Sequence, residues 1–248
     1  MKKNILFGAV FLMAGTLLAA DSPKDAVTAA AKKLADTSYS WKVTQDFGAN
    51  SPFTPGPVEG KADKDLTWLS TSFQDNTSIG LVKGTKVVLK TDEGWKTADE
   101  LGGGDGGFNP STFMVTRLQN LKAPSAEVQE LLTKVDALKQ DGDVISGDLT
   151  KEGAESLLSF GFGGRRGGNR GGGAGGFGGN RPAPKDAKGT LKIWMKDGQI
   201  AKYETKVSAK TTNRDGEEMN TERTTTTEVK DVGTTKIEVP DEAKKKLG

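Results

Sequence analysis

The stretch "AKGTLKIWMKDGQIAKYETKVSA", residues 187–209, decides the fold class. Asp197-Gly198 is a dipeptide suited to a two-residue turn with positive φ, and apolar residues alternate with polar ones on both sides of it. Leu191, Ile193 and Met195 share one face of the first arm. Ala201, Tyr203, Thr205 and Val207 share one face of the second. This predicts an antiparallel hairpin with one buried side. Trp194 falls on the opposite side with Lys192 and Lys196, so it is either exposed or the sheet is covered on both faces.

Working outward, "RDGEE" is a turn, and "MNTERTTTTEVKDV" (219–232) and "TTKIEVP" (234–240) predict two more strands. The threonine run within the first is polar on both faces, which suits an exposed or edge strand. A hydroxyl-lined ligand surface is the less favoured reading. "PDEAKKKLG" predicts a short closing helix from Pro240.

Upstream of the hairpin, residues 23–34 predict a helix capped by Ser22, with Val27, Ala30, Ala31 and Leu34 at helical spacing. "YSWKVTQDF" (39–47) reads as a strand, and "SPFTPGP" as a loop. "KADKDLTWLSTSF" (61–73) predicts one strand. "TSIGLVKGTKVVLKT" (77–91) predicts a pair turning at Lys83-Gly84, followed by a short segment around Trp95. Short connections make this an antiparallel meander. A loop of 102–107 precedes helical spacing from Phe113 to Leu121. Val128, Leu131, Leu132, Val135 and Leu138 predict an amphipathic helix over 125–139. "DVISGDL" is a short strand, and "TKEGAESLLSF" a helix capped by Thr150. The order is helix, strands, helices, strands. It predicts an α+β fold: one antiparallel sheet of about seven to nine strands, curved by its twist, with helices on one face.

Residues 1–20 have the layout of a secretory signal peptide: Lys2 and Lys3, an apolar run from Ile5 to Leu18, then Ala19 and Ala20. Cleavage near Ala20 would leave 21–248 as a single extracytoplasmic domain, periplasmic or secreted. The competing reading is an uncleaved anchor, for which the run is short.

The 35 Lys plus Arg, less Lys2 and Lys3, balance 33 Asp plus Glu in the mature chain. The tract "GFGGRRGGNRGGGAGGFGGNRP" (161–182) carries Arg165, Arg166, Arg170 and Arg181 and no acid. The rest of the mature chain is therefore net negative by four. A local basic patch on an acidic body differs from the broad basic face of a nucleic-acid binder. The tract reads as a disordered insertion at about 161–186. Its arginines are candidates for contact with lipid headgroups or another anionic partner.

With no histidine and no cysteine, His-based triads, His or Cys zinc sites and disulfides are excluded. Acids such as Asp92, Glu93, Asp99 and Glu100 form no constellation, and the glycine tract lacks the pattern of a phosphate loop. No catalytic set and no cofactor are expected.

The layout resembles the LolA-like family of exported lipid and lipoprotein carriers, which includes the LppX type. The likeness rests on the helix leading into "SYSWKVTQDF", the meander ending in "EGWKTADEL", "SGDLTKEGAESLL", "GTLKIWMKDGQIAKYETKV" and the closing "TTKIEVPDEAKKKL". It covers most of the mature chain as layout, without a sharp motif, and carries over no single residue role. It implies a half-barrel whose concave face, between sheet and helices, receives acyl chains. Lacking cysteine, this chain would be the soluble, unanchored kind. Candidate lining residues are then the strand aromatics Trp41, Phe47, Trp68, Phe73, Trp194 and Tyr203. The 125–139 helix would be a lid. The implied partners are an apolar ligand and, transiently, a membrane or lipoprotein. The alternative is a structural or interaction protein of the envelope using the same sheet as a scaffold.

Overall fold

The computed structural model describes residues 22–48, 56–73, 76–101, 114–115, 118–160, 184–212 and 216–248. In chain order its elements are α1 (Pro23–Ala35), β1 (Tyr39–Asp46), β2 (Val58–Asp63), β3 (Leu66–Phe73), β4 (Asn76–Lys83), β5 (Lys86–Thr91), β6 (Gly94–Thr97) and α2 (Ala98–Leu101). They continue with α3 (Pro124–Leu131), β7 (Lys139–Asp141), β8 (Val144–Asp148), α4 (Lys151–Phe160), β9 (Lys185–Lys196), β10 (Gln199–Thr212), β11 (Glu218–Lys230) and α5 (Asp241–Leu247). The strands form one antiparallel sheet of eleven, in the order β6-β5-β4-β3-β2-β1-β11-β10-β9-β8-β7. Among the described residues the sheet is unclosed, with β6 and β7 at its edges. Both edges are short, and β7 is Lys-Gln-Asp, a sequence that discourages further pairing. No helix among the described residues is long and apolar enough to cross a membrane.

The hairpin at 197–198 forms as expected, with Asp197 at φ 52° and Gly198 at φ 70°. Leu191 and Ile193 are buried on the same side of β9, with Met195 packed beside them. The returning strand departs from simple alternation at its start. An irregularity between Ile200 and Lys202 puts Ile200 in the core and leaves Ala201 only half-buried.

The strand count exceeds the expected seven to nine for two reasons. Residues 61–73 are not one strand, because Lys64 at φ 55° and Asp65 turn the chain between β2 and β3. "KQDGDVIS" is a second hairpin, turning at Gly142-Asp143. That hairpin also shortens the expected 125–139 helix, which ends at Leu131. Beyond it the backbone is taken up by the sheet: Val135 bridges Leu149, Asp136 N donates to Asp148 O, and Lys134 O accepts from Thr150 N. Gly147 permits this crossing, since a Cβ there would lie 2.2 Å from Ala137 O. The β4–β5 turn is Gly84-Thr85, one residue later than expected.

Three further expectations are corrected. The threonine-rich β11 is not an edge strand; it lies between β1 and β10 and joins the two halves of the sheet. "TTKIEVP" is not a strand, and its Ile237 and Val239 instead pack beside α5. Nor are the helices confined to one face. Val87 and Leu89 of β5 join the large core with α1, α3 and α4, while Val88 joins Leu81, Trp95, Ala243 and Leu247 on the opposite face under α5. Of the predicted helix 113–121, residues 114–115 and 118–121 are described, and all of these but Leu121 are helical. The 161–182 tract lies outside the described residues, and strand structure has begun by Lys185, before the expected end of the insertion.

Candidate functional site

The larger covered face carries an unusual inner lining at its centre. Alternation along β11 turns Arg223, Thr227 and Val229 toward the helices, and all three are buried. Beside them on β10, Tyr203, Thr205 and Val207 are buried on the same side. A polar stripe thus runs along the middle of an otherwise apolar surface built from Val27, Leu34, Leu69, Leu131, Leu191 and Ile193.

Two tyrosines of this face hold the first turn of α3. Pro124 starts that helix, and Ala123 offers no capping side chain. The Tyr39 hydroxyl lies 3.1 Å from Ser125 Oγ and accepts from Ser125 N at 3.5 Å, so a residue of β1 meets a helix N–H that would otherwise lack a partner. The Tyr203 hydroxyl donates to Glu127 Oε2 at 2.5 Å. Burial holds the Glu127 carboxyl above the usual range, and the Tyr203 hydrogen bond opposes that shift. Tyr203 itself is pushed well above its ordinary value, first by burial and then by the Glu127 charge. Burial raises Tyr39 as well, against the Ser125 contacts. The buried Thr227 hydroxyl lies near that of Tyr203 without reaching hydrogen-bond geometry.

Farther along β11, the Arg223 guanidinium donates through Nη2 to the carbonyl of Leu157 in α4. That carbonyl belongs to the final turn, where helix carbonyls lack intrahelical partners and a cation is favoured. Arg223 is only 7% exposed, and its Nε has no hydrogen-bond partner among the described residues. Burial lowers its pKa from the ordinary arginine value, but arginine remains a cation.

The aromatics expected to form one lining divide between the two faces. Trp41 and Tyr203 are buried on the face under α1, α3 and α4, with Trp41 beside Tyr39 at a ring-centroid distance of 5.6 Å. Trp68 packs on the other face in the α5 cluster, with Lys61 Nζ 5.3 Å from its ring centroid. Trp194 is also on that other side, half-buried beneath Lys202 Nζ at 3.7 Å. Phe47 lies just beyond the end of β1 and is half-buried. The side chain of Phe73 and the tract arginines Arg165, Arg166, Arg170 and Arg181 lie outside the described residues. A single lining can therefore include Trp41 and Tyr203, but not Trp68 or Trp194.

No sequence pattern singles out Tyr39, Ser125, Glu127, Arg223 and Thr227 as a group. The sequence holds one signal, for two of them: Arg223 and Thr227 share parity with the apolar Val229, and the structure turns that side of β11 inward. No protein-family model matches the chain, and no curated protein matches it.

Proposed function

We propose that this chain is an exported, non-catalytic carrier of the LolA-like kind, with a half-barrel that binds a lipid or lipoprotein acyl chain. The observation that carries the reading is the way the helices sit on the unclosed sheet. The cover meets the central strands through separate polar contacts at Tyr39–Ser125, Tyr203–Glu127 and Arg223–Leu157 O. Such contacts can exchange for water when a helix lifts, because each is worth only about 0.5–3 kcal/mol net, the upper part of that range applying to those with a charged partner. The apolar surface beneath would then be offered to an acyl chain, which gains about 0.8 kcal/mol for each methylene removed from water. Loading and release need only motion of α3 and α4, with no bond made or broken. Residues 1–20, as a signal peptide, would deliver the chain to the compartment where such cargo travels.

A second reading, a scaffold of the envelope, is favoured by one observation. Gly60 lies directly under the Trp41 indole, so closely that a Cβ would stand 2.1 Å from Cζ2. The face is solidly packed there. The deciding experiment is lipid extraction of protein purified from the extracytoplasmic fraction, followed by titration of stripped protein with oleyl alcohol while tryptophan emission is monitored. Co-purified lipid and saturable binding are expected. Empty protein that binds no apolar probe would refute the carrier and leave the scaffold.

A further inference from the structure

Among the described residues Arg223 is a buried charge with no ionic partner. It lies in the middle of the sheet, faces the helices and is more than nine-tenths buried. A buried charge is normally paired, because removing it from water is costly. Among the described residues Arg223 has one hydrogen-bond acceptor, the uncharged Leu157 carbonyl, and its Nε has none. The next residue, Glu222, points to the other face and pairs with Lys206. The chain that follows α4, residues 161–183, contains arginines and no acid.

The fork of a guanidinium is built to receive two oxygens of one carboxylate or phosphate. Leu157 O is held by Nη2, and Nε is the donor left without an acceptor among the described residues, so an oxyanion would be met through Nε. Around it the inner face supplies Val207 opposite on β10, then Thr205 and Tyr203 along that strand. Apolar surface with hydroxyls leads away from one cation. This arrangement suits an amphiphile with a single anionic end.

We propose that Arg223 is the recognition point for an oxyanion, a carboxylate or phosphate at the end of an apolar chain held beneath α3 and α4. The inference rests on the carrier reading and adds to it the polarity of the cargo and the direction in which it lies. The anionic end sits at the α4 side of β11, and the tail runs past Thr205 and Tyr203 toward Trp41.

The test compares three probes of equal tail: oleate, mono-oleyl phosphate and oleyl alcohol. Each is titrated below its aggregation concentration into the stripped full-length protein. At least one of the two anions should bind about tenfold or more tightly than the alcohol, the advantage of a charge-assisted hydrogen bond. The stronger of the two identifies the headgroup. Arg223→Met should bring all three probes to the affinity of the alcohol, and Arg223→Lys should recover part of the preference. The comparison of probes on the unaltered protein needs no variant, so it remains decisive if a variant fails to fold. Equal binding of alcohol and anions would overturn the inference and leave the carrier standing. An anion preference that survives in Arg223→Met would also overturn it. If no probe binds, the carrier reading fails and this inference fails with it.

Discussion

Replacing Gly60 by alanine should destabilise the protein through a single contact. Gly60 is paired with Trp41 across β1 and β2 and with Leu69 across β2 and β3. A methyl group at Gly60 would stand 2.1 Å from Trp41 Cζ2 and 2.2 Å from Cε2. Carbon contacts settle at about 3.5 Å or more, so the ring must retreat by roughly 1.4 Å. Trp41 is 3% exposed and has Tyr39 beside it, so the retreat disturbs the packing of the core. Overpacking of this kind costs about 1–3 kcal/mol. The Gly→Ala change returns about 0.4–1 kcal/mol by restricting the unfolded chain. A net loss of about 1–2 kcal/mol is expected, read in urea as a lower midpoint at unchanged slope. In a Trp41→Leu background the obstacle is smaller, so the same change should cost close to nothing, and the difference between backgrounds isolates the contact. If Gly60→Ala is neutral and leaves tryptophan emission unchanged, the account of this contact is wrong. If it is neutral and emission shifts, the ring has moved into free space, and the face is less solid there than the packing argument holds.

The Glu127 carboxyl has a raised pKa, chiefly from burial, so it binds its proton more tightly in the folded state than in the unfolded one. Its contribution is full below the unfolded carboxyl value of about 4.3 and is lost as pH rises through the folded value. Glu127→Gln, which keeps an acceptor for Tyr203, should therefore be more stable than the parent at pH 7 and should lose that advantage near pH 4 in paired urea titrations. Leu247 of α5, nearly fully buried against Leu81, Val88 and Trp95, should cost about 2–5 kcal/mol when changed to alanine, measured the same way.

Elements whose signals are local were legible in the sequence. Ser22 and Pro23 start α1, Thr150 caps α4 through Gly153 N at 2.9 Å, and Asp197-Gly198 turns β9 into β10. What was not legible depended on partners distant in the chain. Val135 and Leu138 continue the spacing of α3, but the backbone there bonds to 148–150 and cannot remain helical. "TERTTTTEV" is locally an edge strand, and becomes central only because β1 pairs with it. The aromatics illustrate the limit for the site. Period-two alternation tells which residues of one strand share a side, but not which side of one strand continues that of another. Trp68 and Trp41 could not be assigned to opposite faces without the register of β1, β2 and β3. The contacts at Tyr39–Ser125 and Tyr203–Glu127 span 86 and 76 residues, and no periodicity encodes such pairs.

The seam between β1 and β11 also governs when the fold can form. Among the described strands these are the first and the last, with Trp41 opposite Val229 and Val43 opposite Thr227. During synthesis the β1–β6 meander is complete long before its neighbour exists, and one side of β1 has no strand to pair with until residues 218–230 emerge. Such a junction gives a high contact order, because closing so long a loop must precede the contacts that repay it. The two half-sheets can each gather early, while their union waits for the end of the chain. In that interval the flank of β1 that faces the missing strand keeps its backbone donors and acceptors unpaired, an open edge on which a nascent chain can mispair.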